Sequence, residues 1–163
     1  MDKLQLISHK ITDITNLERI CSGWRLISQN IVFTNGCFDI IHQGHINSLA
    51  QAASLGNRLV VGINADASVT RLKGPQRPIN DAYSRALVLA AMQFVDAVCI
   101  FDEDTPLKLI EAVRPHVLAK GGDYTPETVV GNDFVQSIGG QTVILPLVPN
   151  FSTTSIIEKS KQS

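Results

Sequence analysis

Apolar runs and polar breaks alternate regularly along the chain. Five short runs rich in Val, Ile, Leu and Phe predict strands at Ile31–Thr34, Leu59–Ile63, Ala97–Phe101, Val117–Ala119 and Thr142–Leu147. Their near-continuous apolarity fits strands covered on both faces. Between them the spacing becomes helical. Ile46, Leu49, Ala50 and Ala53 recur on one helical face, and Gly56 marks the end of that helix. Asn80 or Asp81 caps a helix reaching to about Met92. Thr105 and Pro106 supply a cap and a first-turn proline for a helix that ends before Pro115. Gly139-Gly140 ends another, and Ser152 caps the last. This βαβα order predicts an α/β fold with a mostly parallel five-stranded sheet.

Residues 1–30 stand outside the alternation. Thr15 and Glu18 have capping-box spacing, and Ile14, Leu17, Ile20 and Cys21 offer an apolar face. The expected organisation is a helical lead-in over 1–30 that packs on the sheet, followed by the main domain over 31–163.

Composition narrows the classes. A length of 163 residues suits one domain, and 44% hydrophobic residues suffice for a core. Fourteen Lys and Arg against fifteen Asp and Glu give a formal net charge of -1, without the basic excess of a nucleic-acid binder. A small anionic ligand needs only a few local cations. Cys21, Cys37 and Cys99 are odd in number, widely spaced and without a C-x-x-C pair, so a disulfide framework is not expected and a reducing cytoplasm is. No signal-peptide pattern opens the chain, and no run reaches the ~18 apolar residues of a membrane span, so no membrane partner is expected.

In open parallel sheets, ligands sit beyond the carboxyl ends of the strands. After the first strand comes Asn35-Gly36-Cys37-Phe38-Asp39-Ile40-Ile41-His42-Gln43-Gly44-His45. Lys73 and Arg77 follow the second strand, Asp102-Glu103-Asp104 the third, Lys120-Gly121-Gly122-Asp123 the fourth and Ser152-Thr153-Thr154 the fifth. His42 and His45 face one side at a helix start, where free N–H groups and the dipole favour phosphate, and Gly44 lets the backbone come close. Both imidazoles then suit hydrogen bonding to phosphoryl oxygens as charge grows. Zinc held by His42, His45 and Cys37 is the competing use, but no fourth ligand lies nearby in sequence, and no metal ligand is assigned. Lys73 and Arg77 flank Gly74-Pro75 in a loop that faces the proposed phosphate site and suits contact with phosphate. The Ser152–Thr154 hydroxyls suit phosphate at a helix start, and Gly121, Gly122 and Asp123 suit a base or ribose. No dinucleotide G-x-G-x-x-G, P-loop or G-x-S-x-G elbow is present.

The segments Gly36-x-Phe38-Asp39-x-x-His42-x-Gly44-His45 and Ser152-Thr153-Thr154 resemble the cytidylyltransferase-like branch of the H-x-G-H nucleotidyltransferases. The match is nearest to the D-glycero-β-D-manno-heptose 1-phosphate adenylyltransferases. It runs through Phe33–Asp39, Arg71–Gly74 with Arg77–Asn80, Phe101–Pro106 and Lys120–Thr125, over about residues 31–158. The resemblance implies a Rossmann-like three-layer sandwich, ATP and Mg²⁺ as reactants, and transfer of AMP to the sugar 1-phosphate to give ADP-heptose and pyrophosphate. It places Asn35, Gly36, Phe38 and Gly44 at the nucleotide and Asp39, Arg77 and Arg85 at the substrate. It also suggests a homodimer, supplied by a separate sugar kinase. Two positions depart from the pattern: Phe151 stands where Tyr is expected, and Ser84 where an acidic residue usually precedes the arginine. Two rivals are a cytidylyltransferase for glycerol 3-phosphate or a similar alcohol phosphate, and a nucleotide-binding subunit without catalysis.

Overall fold

A computed structural model describes residues 2–162. Five strands, β1 (Ile31–Gly36), β2 (Arg58–Asn64), β3 (Ala97–Phe101), β4 (Val117–Gly121) and β5 (Gln141–Leu145), form one sheet in the order β3-β2-β1-β4-β5. Every pairing is parallel. The chain builds outward from β1 to β2 and β3, then returns to lay β4 against the other side of β1. The order therefore reverses beside β1, and a crevice opens at the carboxyl ends of β1 and β4.

Among the described residues, eight α-helices connect and flank the strands, with one short 3-10 helix at Pro126–Thr128: α1 (Lys3–Ser8), α2 (Ile14–Leu26), α3 (Gln43–Ala53), α4 (Asp66–Lys73), α5 (Ala82–Ala90), α6 (Leu107–Val113), α7 (Asn132–Ser137) and α8 (Thr153–Lys161). Side chains alternate along each strand, so β1 divides its apolar residues between two cores. Ile31 and Phe33 join Leu17 and Cys21 of α2, Leu109, Ile110 and Val113 of α6, and Val135 of α7. Val32 faces the other way, toward Leu49 and Ala52 of α3 and Ala86, Leu89 and Ala90 of α5. The architecture is thus a three-layer Rossmann-like α/β sandwich.

The structure corrects several boundaries. Asp13, not Thr15, caps α2, its carboxylate accepting from the Asn16 N–H at 2.9 Å. The buried stripe of α2 is Leu17 and Cys21 with Trp24 packed beside them, whereas Ile14 and Ile20 are exposed. Pro106 takes the cap position of α6 itself, so Thr105 lies one residue outside. Strand β5 stops at Leu145 because Pro146 has no N–H for the ladder. Asp81 caps α5 and Ser152 caps α8, as the sequence indicates.

The lead-in is tied to the body of the fold. Its segment between α1 and α2 pairs along the β3 edge, with the Thr12 N–H on the Val98 carbonyl at 2.9 Å and the Val98 N–H on the Lys10 carbonyl at 2.8 Å. That contact covers an otherwise open strand edge. Leu17 is fully buried. Leu17→Ala should therefore lower the unfolding free energy of the whole protein by about 2–5 kcal/mol, in a single transition by urea titration. An unchanged midpoint would mean that 1–30 packs independently.

Candidate active site

A cavity of about 690 Å³ lies at the carboxyl ends of the strands, within the range of about 300–1,000 Å³ usual for small-ligand sites. Its floor is the loop from β1 to α3. His42 is the N-cap of α3, and its Nδ1 accepts from the Gly44 N–H at 3.1 Å. An accepting Nδ1 carries no proton, so the neutral ring holds its proton on Nε2. His45 repeats the contact more loosely, its Nδ1 accepting from the His42 N–H at 3.4 Å. The rings stack with centroids 3.8 Å apart. The His42 Nδ1 is thus engaged by the backbone and its Nε2–H remains as a donor, while the His45 ring lies between the His42 N–H and the Ile40 carbonyl.

Burial pushes the His45 pKa down from 6.5 to about 4; the neighbouring His42 adds to this, and the Ile40 carbonyl opposes it. Burial also lowers that of His42. Both rings are therefore neutral near pH 7, and a phosphate arriving against them would favour their protonated forms. Gly44 is favoured by space: a Cβ there would lie 3.0 Å from the His42 ring and 3.1 Å from Phe151 Cβ, so either neighbour would have to give way by a few tenths of an ångström. Phe38 adopts a left-handed conformation with φ of 48° and sets its ring edge-on to His45 at 5.3 Å. For a residue with a side chain this backbone costs about 1–3 kcal/mol.

Asp39 and Arg85 hold this floor to the rest of the crevice. The Asp39 carboxylate is buried and accepts from Arg77 Nε at 2.7 Å and from the Ile79 and Asn80 N–H groups at 2.9 Å. Burial alone would raise its pKa, but the Asn80 and Ile79 amides and the Arg77 guanidinium outweigh it and lower the pKa. Arg85 donates to the Asn80 carbonyl at 2.9 Å, the Cys37 carbonyl at 2.7 Å and the Asp66 carboxylate at 2.8 Å. The expectation that Arg85 meets substrate is corrected: its side chain is fully buried and spends its donors on three protein segments. Asp39 lines the cavity, but its carboxylate is likewise occupied by protein donors.

Other expected residues reach the cavity. Asn35, Gly36, Phe38, Gly44, Lys73, Arg77, Ser152, Thr153 and Thr154 all line it. Among the described residues the Lys73 ammonium has no hydrogen bond or ion pair, and Arg77 keeps its Nη groups free after giving Nε to Asp39. Gly74, with φ of 104°, ends α4 and turns the chain from Lys73 toward Arg77. The N-terminus of α8 opens on the cavity: Ser152 Oγ accepts from the Ser155 N–H at 3.0 Å, and Thr153 Oγ1 donates to the Ile40 carbonyl at 3.3 Å. Helices α3 and α8 thus bring two positive dipole ends to one cavity.

Gly121, Gly122 and Asp123 do not line the cavity; the residues flanking them, Lys120 and Tyr124, do. Sequence reasoning missed both as site residues, together with Ser48, Asn64 and Leu147. Lys120 stood in a segment already singled out, and its place at a strand end was the available signal. Asn64, the last residue of β2, carried the same signal, whereas Ser48 sits inside α3 and carries none. Among the described residues no three His, Cys, Asp or Glu side chains gather into a metal-holding group, and no helix is long and apolar enough to cross a membrane.

A parallel sheet whose switch point gathers two helix N-termini, paired imidazoles and cations without partners makes a site suited to a phosphorylated ligand. The chain belongs to the cytidylyltransferase-like family, whose pattern it matches over residues 33–159. It is 51% identical over 150 residues to the bifunctional protein HldE of Trichlorobacter lovleyi, covering 92% of this chain and 30% of that protein. It is 53% identical over 154 residues to HldE of Mesorhizobium japonicum, covering 93% and 31%. The chain therefore spans about a third of the length of these curated relatives. Among solved structures it resembles a lipopolysaccharide core biosynthesis protein from Thermoplasma volcanium, with a TM-score of 0.59, 28% identity, and 74% of this chain and 97% of that one covered. The fold is shared with pantoate-beta-alanine ligase from Francisella tularensis, with a TM-score of 0.61 at 17% identity, covering 93% and 76%.

The His45 environment predicts a pH dependence. Above pH 6.5 the folded and unfolded chains are both neutral at this group. As pH falls from 6.5 toward 4, the unfolded chain binds a proton that the folded protein refuses, so stability drops through that window. His45→Asn should flatten the melting-temperature profile between these values, and His42 contributes in the same direction. An equally steep profile in the variant would show that His45 titrates normally.

Proposed function

We propose that the chain transfers AMP from ATP to D-glycero-β-D-manno-heptose 1-phosphate, giving ADP-heptose and pyrophosphate. The observation that carries this reading is the stacked pair of imidazoles at the start of α3, both lining the cavity, with His42 bonded through Nδ1 to the Gly44 N–H and its Nε2–H left free. The heptose assignment draws support from the resemblance of Lys120–Thr125 to the heptose branch, from similarity to HldE proteins and from likeness to a lipopolysaccharide core biosynthesis protein.

In this reaction an oxygen of the sugar 1-phosphate forms a bond to the α-phosphorus of ATP. The bond from that phosphorus to the oxygen bridging to the β-phosphate breaks, and the electron pair leaves with pyrophosphate. Positioning and charge stabilisation carry such a step. The Nε2–H of His42 and a ring N–H of His45 donate to the α-phosphate oxygens, and Lys73 with the free Nη groups of Arg77 offsets the triphosphate charge. The N-terminus of α8, with Ser152, Thr153 and Thr154, receives the departing pyrophosphate. Mg²⁺ enters as part of the MgATP substrate, carried on phosphate oxygens. Asp39 and Arg85 position the loops without touching the reactants.

Pyrophosphate release on mixing with ATP and heptose 1-phosphate tests the reaction. kcat/KM should favour ATP over CTP, and equal use or a preference for CTP would remove the adenylyl assignment. His42→Ala and His45→Ala should each lower kcat by ~10²–10³, the loss typical of one transition-state donor. ATP binding by calorimetry should change much less, because the contact tightens as charge develops. Near-normal kcat in a folded His45→Ala protein would overturn the mechanism.

A further inference from the structure

Beside the main cavity lies an annex of about 120 Å³ walled by Asn35, Pro106, Lys120, Tyr124, Val129 and Val130. Lys120 and Asn35 line both spaces. The β1–β4 register pairs Val32 with Val117 and Phe33 with Leu118, and continued by two residues it brings Asn35 level with Lys120. The two side chains therefore stand at the mouth of the annex, next to the loop that carries the histidines.

Lys120 is half-buried, yet among the described residues its ammonium has no hydrogen bond or ion pair; it lies 5.4 Å from the Tyr124 ring centroid. Burial lowers its pKa, Cys37 opposes this, and the like charge of Lys73 adds to it. A desolvated cation without an anion is costly, and a phosphate would relieve that cost. The triphosphate already has Lys73, Arg77 and two helix N-termini. The annex is smaller than the ~300 Å³ at which small-ligand pockets begin, so it suits a sugar rather than a nucleoside. The Tyr124 ring with Pro106, Val129 and Val130 offers an apolar wall to sugar C–H groups, and the Asn35 amide is open to hydroxyls. The Thr128 hydroxyl is already engaged with the Thr125 backbone at 2.8 and 3.2 Å.

We infer that Lys120 binds the phosphate of the acceptor sugar phosphate at the mouth of the annex, with the sugar seated inside against Tyr124. This rests on the adenylyl-transfer reading and adds to it the residue that selects and holds the second substrate. The two lysines then divide the work: Lys73 serves the nucleotide and Lys120 the acceptor.

Steady-state kinetics of Lys120→Met and Lys120→Arg, with each substrate varied at saturation of the other, test the assignment. Lys120→Met should raise KM for heptose 1-phosphate by about 10–100-fold, the loss of one hydrogen bond to a charged group, while KM for ATP changes little. Lys120→Arg, which keeps the charge, should recover most of the loss even if Lys120→Met proves unstable. A rise in KM for ATP alone, or normal values for both substrates in folded Lys120→Met, would overturn the inference. Calorimetric titration of heptose 1-phosphate into wild type and both variants separates this outcome from failure of the parent reading. Binding to wild type that is lost in Lys120→Met and kept in Lys120→Arg, without any turnover by wild type, would refute adenylyl transfer and uphold Lys120 as the sugar phosphate ligand. Absence of both binding and turnover with wild type would overturn both.

Discussion

The guanidinium of Arg85 and the carboxylate of Asp39 form the clamp on which the crevice depends. Arg85 reaches from α5 to the Cys37 carbonyl, the Asn80 carbonyl and the first residue of α4. Asp39 reaches from the histidine loop to three donors at 77–80. Together they fix the β1–α3 loop, the start of α4 and the approach to α5 against one another. Burying such groups is costly, and the cost is offset only when nearly every donor and acceptor finds a partner. That condition permits few arrangements of the loops. The strained backbone of Phe38 is held within the same network, so its ring stays against His45.

With the loops fixed, charge is distributed unevenly across the crevice. The histidines are neutral, Asp39 is satisfied, and Asp104 is engaged by Arg71 at 2.9 Å. What remains uncompensated is cationic, namely Lys73 and Lys120, and the outer nitrogens of Arg77 remain as donors although its charge is paired with Asp39. A chain with a formal charge of -1 thus presents a locally positive site. Fixed dipoles and preplaced cations of this kind stabilise developing phosphoryl charge without having to reorganise during the step.

The fold determines where this happens. Reversal of strand order beside β1 leaves a gap between the helices of the two faces, and the first turn of α3 begins there. Neutral imidazoles at that turn donate hydrogen bonds without repelling the lysines that line the same cavity, which two imidazolium groups would do. Lowered pKa values of the two rings and the free ammonium groups of that cavity are therefore complementary parts of one arrangement.

Much of this was legible in the chain itself. Strand positions, the parallel order, the caps at Asp81 and Ser152, and the pairing of His42 with His45 all follow from patterns within a few residues, where periodicity and helix-end chemistry act. The errors were also local: Asp13 outcompeted Thr15 as a cap because the helix begins before it, and Pro146 shortened β5. The sequence could not show which polar groups are spent and which are free. Arg85 meets Cys37 across 48 residues and Asp39 meets Asn80 across 41, so both looked as available as Lys73. Lys120 lay in a noted segment without being distinguished from the glycines after it. Sequence alone determined the elements and the residue types gathered at the switch point, because those follow from local spacing. Tertiary structure decided their roles, because whether a side chain is left for a ligand depends on partners that only folding brings within hydrogen-bond reach.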